Sequence, residues 1–492
     1  MKYKIIGLIA CACALTVSLF AIPIERQDER RVHQHLEASE KAACTDHGDE
    51  VFCTHLPLVQ IDTDRVEIPG KAIFNRDGMR IGYTTAADGA DEITASITIT
   101  DNGDRNNHVG DAPALESFIR IHVRGNSSRA FDKCNYSVRL MTRDGENNPQ
   151  SVMGMDAHHE WVLHGPFLDK TLMRNYMWYN IAGEIMDYAP NVRFCELMLN
   201  GEYQGVYVMT ESITAGKNGA RLDLSVNKKD NTFSGYLLRL DRGSKSPLKN
   251  IETFSEYTRR TPLKLNIVYP GNGNLSEALR TSIAQDFSDF EKALYSYDFD
   301  DSEYGYAKRI DVDSFVDYFL INEFTCNYDA GSLSTYIYKG IDGRFRMCVW
   351  DFNSACDAYQ ESPMPTDGFS LHNRLWYFML FKDEDFVERV LARYDRLRKT
   401  VLSEEYLDSY IDGVVDYLGD AIERNYEKWG YTFGAEYDLL QPADRNPRSY
   451  TEAIDDMKQF LHRRGAWLDE NIHVLRQYAV ESKIKKFNAN AN

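Results

Sequence analysis

The sequence predicts an α+β protein of two lobes, β-rich in its first part and helical in its last. Three observations carry this. Between residues 56 and 140, short runs with strand-type alternation recur (LPLVQIDT, ITASITIT, SFIRIHVR, NYSVRL), parted by turn clusters such as DNGDRNNHVGD, which is the pattern of an antiparallel sheet. Beyond about residue 371, DFVERVLARYDRLRKTVL, EEYLDSYIDGVVDYLGDAIERNYEKW and YTEAIDDMKQFLHRRGAWLDENI space their apolar residues as amphipathic helices with charged outer faces. Between these regions, STYIYKGIDGRFRMCVWDF reads as a hairpin turning at Asp342 and Gly343.

Taken in order, Lys2 and Lys4 precede residues 5–24, a stretch without charge. A short basic region before an apolar stretch is an export signal. Its fate stays open among cleavage after Ala21, lipidation at Cys11, and an uncleaved anchor that leaves the body outside the membrane. Residues 25–55 are charged and aperiodic, as in a linker. Cys44 and Cys53 bracket a polar loop and suit a local disulfide in an oxidising compartment. The β-rich lobe spans 56–213, the lobe with the central hairpin and helices 214–475, and a tail 476–492. Asp169 is placed as the N-cap of a helix through LMRNYMWYNIAGEIM. Strands VRFCELML and GVYVMTES follow, joined by Asn200 and Gly201, then a strand in GYLLRLD and a helix in DVDSFVDYFLINEFTCN. Cys134, Cys195, Cys326, Cys348 and Cys356 stand alone in mostly apolar patterns and read as small core residues.

The chain has 492 residues, 56 Lys+Arg against 75 Asp+Glu and a net charge of −19, with 43% hydrophobic residues. That is the balance of a folded globular protein. Its acidity excludes a general nucleic-acid binder, which needs a positive surface. A nucleotide pocket stays open, because it needs only local cations and backbone N–H groups.

His159, Glu160 and His164 resemble a zinc-protease motif, but the second histidine lies one residue too far along to share a helix face with the first. Three other places can carry chemistry. Arg124, Gly125, Asn126, Ser127, Ser128 and Arg129 lie between two strands, with Lys133 close behind. Small residues let backbone N–H groups approach an anion while the cations supply charge; an ordinary polar turn is the plain alternative. Asn327 and Asp329 follow a helix on the loop into the hairpin, and Asp351 and Asn353 follow its second strand. A hairpin brings its ends together, so the two aspartates become neighbours. One can orient a hydroxyl while the other holds a hard cation, with the asparagines as further oxygen ligands. Cap or turn roles are the alternative for each residue alone.

These stretches resemble the CotH family of atypical kinases. IRIHVRGNSSRAFDKCNYSVRL, LHGPFLDKTLMRNYMWYNIAGEI, ELMLNGEYQGVYVMTE, SGYLLRLD, VDYFLINEFTCNYDAGSLSTYIYK and VWDFNSA carry the likeness, in family order from about residue 56 to 472. The resemblance implies a divergent two-lobed protein-kinase-like fold that binds ATP with Mg²⁺ or Mn²⁺ and transfers its γ-phosphoryl to Ser or Thr of a protein. It places Lys133 and the loop from Arg124 to Arg129 on the phosphates, Asp329 on the acceptor hydroxyl and Asp351 on the metal, with Asn353 and Asn327 beside it. Glu184 is a partner for Lys133, and Glu211 lines the adenine pocket. Ser334 stands where ordinary kinases use Asn for a second metal, and Arg239 stands where the family is expected to have Glu. An exported location, where ATP is scarce, leaves a non-catalytic surface-binding or adhesion module as the alternative.

Overall fold

A computed structural model describes residues 31–38, 41, 52–217, 220–257 and 263–480. The apolar segment 5–24 and Cys44 lie outside these residues. Cys53 carries a free thiol, to which the Asn106 amide donates at 3.3 Å. The chain divides into a short unit, Met1–His33, and a body, Gln34–Asn492. The expected boundary at residues 213 and 214 falls inside that compact body.

The strand-type runs of the first part close into a seven-stranded barrel. Its strands are β1 (Leu58–Asp62), β2 (Ile93–Thr100), β3 (Leu115–Val123), β4 (Tyr136–Met141), β5 (Glu160–His164), β6 (Val192–Leu199) and β7 (Glu202–Glu211). They run β5-β7-β6-β1-β2-β3-β4, and β4 pairs back onto β5. Every pair is antiparallel except β6 with β1. Alternation sets the facing. In β3, Ile119, Ile121 and Val123 fill the barrel while Glu116, Phe118 and Arg120 are exposed. Strands β6 and β7 have two buried faces: Cys195, Leu197, Tyr207 and Met209 point into the barrel, and Phe194, Val206 and Val208 join a larger outer core. A strand buried on both sides reads as a continuous apolar run, as VRFCELML does. Asn200 and Gly201 turn the β6–β7 hairpin with positive φ at both positions. HEWVLH is strand β5 and its preceding residue.

A second sheet contains β8 (Tyr236–Asp241), β9 (Asn250–Ile251), β10 (Lys264–Tyr269), β11 (Thr335–Lys339) and β12 (Phe345–Cys348), in the order β9-β10-β8-β11-β12. The β11–β12 turn lies at Asp342 and Gly343, as expected. Helix α1 (Arg174–Ile185) begins five residues after Asp169. Asp169 still organises its start: its carboxylate accepts the N–H groups of Thr171 at 3.0 Å and Arg174 at 2.8 Å and pairs with the Arg174 guanidinium. The longer helices that follow are α2 (Glu277–Leu294), α3 (Val312–Phe324), α4 (Glu384–Arg398), α5 (Glu404–Leu418), α6 (Asp420–Trp429) and α7 (Tyr450–Asn471). Ser276, Asp311, Asp383, Ser403 and Ser449 cap α2, α3, α4, α5 and α7 by accepting first-turn N–H groups. The class is therefore α+β, sheet-rich first and helical last. Among the described residues no helix is long and apolar enough to cross a membrane.

Candidate active site

Three strand ends meet at one edge of the second sheet. The register sets Arg239 of β8 opposite Tyr336 of β11, and Tyr336 opposite Cys348 of β12. Continued past these pairs, it brings the end of β8 at Asp241, the approach to β11 through Asp329, and the exit of β12 at Asp351 to the same edge.

Helix α3 delivers Asp329. At its last turn the buried Glu323 carboxylate accepts the N–H groups of Ser370 and Leu371, both at 2.7 Å, and pairs with the buried Arg464 guanidinium of α7. Arg374 then donates to the Tyr328 carbonyl at 2.7 Å and more weakly to that of Ala330. Gly331 closes the loop at φ +73°, where a Cβ would lie 2.7 Å from the Leu371 side chain.

Helix α1 holds Asp351. Asn175, Trp178 and Tyr179 share one helix face. The Tyr179 hydroxyl accepts the Asp351 N–H at 2.9 Å, and the Asn175 side-chain Oδ1 accepts the Phe352 N–H at 2.8 Å. Phe352 is fully buried, with its ring near Trp178 and Tyr179. Asp351 itself has φ +61°, a strained conformation for a non-glycine residue. Asn353 donates to its carboxylate at 2.7 Å.

The charges interlock. Burial and the facing Asp351 carboxylate hold the Asp329 carboxyl above the usual range, while Arg242 and Arg374 pull it down. Burial also raises Asp351, opposed by Arg124 and by hydrogen bonds from Asn353. Asp241 adds negative charge to both. From the barrel, the Arg124 guanidinium stacks over Trp350 at 5.5 Å and so faces the Asp351 turn. The Asn327 side chain donates to Asn322 at 3.0 Å, yet its buried Oδ1 has no hydrogen-bond partner among the described residues. Carboxylate and amide oxygens are the ligand types that suit a hard divalent cation, and the unsatisfied Asn327 oxygen is one such acceptor.

The family model of the CotH kinase proteins matches residues 121–468, more than half of the chain. The chain belongs to the CotH kinase family. Over 322 residues it is 23% identical to the inner spore coat protein H of Bacillus subtilis (strain 168), a match covering 60% of this chain and 80% of that protein. The CotH match spans Arg124, Asp241, Asp329 and Asp351 alike.

Other positions expected from the CotH resemblance lie differently. Lys133 has its ammonium fully buried and donates to the Asn425 amide oxygen of α6 at 2.7 Å. Burial first and Lys170 second hold its pKa well below the ordinary lysine value. His164, pushed down to about 3 by burial, feels the charges of both Arg124 and Lys133. Glu184 is not the partner of Lys133: it is exposed at the end of α1 and accepts from the Tyr406 hydroxyl at 3.3 Å. The Glu211 side chain is committed to a buried ion pair with Arg221 at 2.6 Å and to the Asn191 N–H at 2.9 Å. Of the loop from Arg124 to Arg129, Gly125 has φ +110° and Ser127 is exposed on a single 3-10 turn, Ser127–Ala130, which also contains the half-buried Ser128. Asn126 and Arg129 are engaged by the side hairpin Ala72–Phe74 and Arg80–Tyr83: the Tyr83 hydroxyl reaches Asn126 at 3.4 Å, and Arg129 lies over the Tyr83 ring at 4.4 Å.

Sequence reasoning missed Asp241, Arg242, Arg374 and the α1 supports Asn175 and Tyr179. Asp241 ends the run YLLRLD in plain view, but only strand pairing shows that this end meets Asp329 and Asp351.

Proposed function

We propose that this protein is an exported phosphotransferase of divergent two-lobed protein-kinase-like architecture. It moves the γ-phosphoryl of ATP, with Mg²⁺ or Mn²⁺, to Ser or Thr of proteins at a cell surface or spore coat. The observation that carries the reading is the paired Asp329 and Asp351 at adjoining strand ends, with Arg124 held against the Asp351 turn. The coat-protein relative supports the location. Phosphoryl transfer asks mainly for positioning and charge neutralisation, and these side chains provide both. Asp351, with Asn353 and Asn327, holds the cation, which supplies charge neutralisation at the phosphates. Arg124 faces the same charge from the barrel side. Asp329 accepts the proton of the acceptor hydroxyl as its oxygen bonds to phosphorus, the bond from phosphorus to the ADP oxygen breaks and ADP leaves. Its raised affinity for a proton suits that task.

The test is phosphate incorporation from labelled ATP with each metal, beside Asp329→Ala and Asp351→Ala. Metal-dependent transfer lost in Asp329→Ala, with nucleotide binding kept, supports the reading; Asp351→Ala loses metal-dependent binding as well. A folded wild-type protein that binds no nucleotide with either metal refutes it. One observation favours a second reading, a binding or adhesion module that keeps the fold: the Lys133 ammonium is held by Asn425 inside protein instead of facing the carboxylates.

A further inference from the structure

The loop around Asp329 divides its carbonyls between two kinds of partner. The Asp329 carbonyl closes the turn, accepting the N–H groups of Ser332 at 3.0 Å and Leu333 at 2.7 Å. The carbonyls of its neighbours, Tyr328 and Ala330, accept from no backbone N–H among the described residues. Both accept instead from one guanidinium nitrogen, Nη1 of Arg374, at 2.7 and 3.4 Å. That arginine has a fixed root. Glu323 binds the N–H groups of Ser370 and Leu371, and Arg464 donates to the carbonyls of Thr366 and Gly368 at 3.0 and 2.7 Å. The Arg374 N–H bonds the Leu371 carbonyl at 3.0 Å. Its guanidinium also lies over the Tyr328 ring at 5.6 Å, and that ring stacks on Tyr359 at 3.6 Å with the planes 15° apart. Tyr359 belongs to the loop that leaves Asp351. There Arg445 holds the Tyr359 carbonyl at 3.0 Å and pairs with Asp357 at 2.8 Å. Arg374, Tyr328 and Tyr359 therefore tie together the loops that carry the two aspartates.

We propose that Arg374 is the positioning residue of the acceptor step. It aims the Asp329 carboxylate through the carbonyls on either side of it, and through the Tyr328 ring it keys that loop to the one following Asp351. The inference rests on the kinase reading, in which Asp329 takes the proton of the acceptor hydroxyl. A base works only within hydrogen-bond reach of the proton it takes, and a misplacement of about 1 Å costs on the order of a hundredfold in rate. Arg374 acts through Asp329, while Asp351, its cation and Arg124 bind the phosphates. Its loss therefore falls on turnover and spares nucleotide affinity. A lysine supplies a donor for the carbonyls but no flat cation for the Tyr328 ring, so it replaces the arginine only in part.

The experiment follows phosphate transfer from labelled ATP to casein and to the chain itself, with Mg²⁺ and with Mn²⁺. Full-length wild type is compared with Arg374→Met, Arg374→Lys and Tyr359→Leu. Each is characterised by kcat, KM for ATP, ATP affinity by calorimetry, and melting temperature. Arg374→Met is expected to lower kcat about a hundredfold and to leave KM and affinity for ATP unchanged. Arg374→Lys recovers part of that loss, and Tyr359→Leu lowers kcat less, with the same split. If Arg374→Met does not fold, Arg374→Lys decides: kcat lowered about tenfold with ATP affinity kept supports the proposal, and wild-type kcat overturns it. Wild-type kcat in Arg374→Met overturns the positioning role alone. So does a loss of ATP affinity as large as the loss of kcat, because the arginine is then supporting the whole site. A wild-type protein that binds no nucleotide or transfers no phosphate overturns the kinase reading, and the positioning role with it.

Discussion

Lys133 shows how a side chain conspicuous in a sequence can be fully buried in a fold. Its ammonium has an amide for a partner, and Asn425 Oδ1 accepts from both Lys133 Nζ and the Val206 N–H, at 2.7 and 3.1 Å. A buried cation without a carboxylate costs desolvation that one neutral hydrogen bond only partly returns. Lys133→Met is therefore expected to keep or raise stability. Asn425→Leu strands two donors and costs about 2–4 kcal/mol. Urea midpoints of the two variants check this, and equal destabilisation by both refutes it. His158 is a second case. Burial, with Arg221 and His159, pushes it down to about 4, below its ordinary value in an unfolded chain. The unfolded state then binds more protons between pH 6.5 and 4, so the stability this histidine contributes is complete above pH 6.5 and drains away as pH falls toward 4. At pH 5 the loss is about 2 kcal/mol. His158→Gln should flatten the fall in urea midpoint between pH 7 and 5, whereas parallel falls in variant and wild type would refute the assignment.

At the scale of elements, local signals were legible wherever the chain's own chemistry fixed the shape. Asn200 and Gly201, and Asp342 and Gly343, sit where turn chemistry puts them. Helix α1 was legible in LMRNYMWYNIAGEIM but its start was not: the cap expected at Asp169 lies five residues before it, and with residues 174–182 all buried the helix has no polar face to mark where its period begins. That same burial lets α1 grip the Asp351 turn. Removing the Tyr179 hydroxyl leaves the Asp351 N–H unpaired in a residue already strained at φ +61°. Tyr179→Phe is expected to cost about 1–2 kcal/mol and to weaken metal-dependent nucleotide binding, while the barrel stays folded. Binding unchanged in that variant would mean that the turn holds its shape without α1.

At the scale of the molecule, what the sequence leaves out is pairing. Alternation announces strands but not that β6 runs parallel beside β1, nor that β8 ends beside Asp329 and Asp351, and so Asp241 stayed hidden. Pairing also decides how far the barrel stands alone. Phe194, Val206 and Val208 face outward from β6 and β7 into a core completed by α1 and the later helices. The fully buried Glu196 on β6 is matched by Arg424 of α6 at 2.8 Å. Gly205 on β7 lets α6 approach so closely that a Cβ there would lie 2.5 Å from the Asn425 amide oxygen and 3.0 Å from the Trp429 indole nitrogen. A chain cut after Ile213 keeps α1 but loses the later helices, baring part of this apolar face and leaving the buried Glu196 without Arg424, a change on the order of 3–5 kcal/mol for the charge alone. The expected product is a collapsed state with strand content but without fixed packing, seen as lost near-ultraviolet circular dichroism and strong dye binding. The whole chain should instead unfold with Trp161 in the barrel and Trp376 in the helical core reporting one transition. A fragment 34–213 with a cooperative melt and a sharp near-ultraviolet spectrum would show that the barrel is an independent domain, and the helices would then be a platform added to it instead of half of its core.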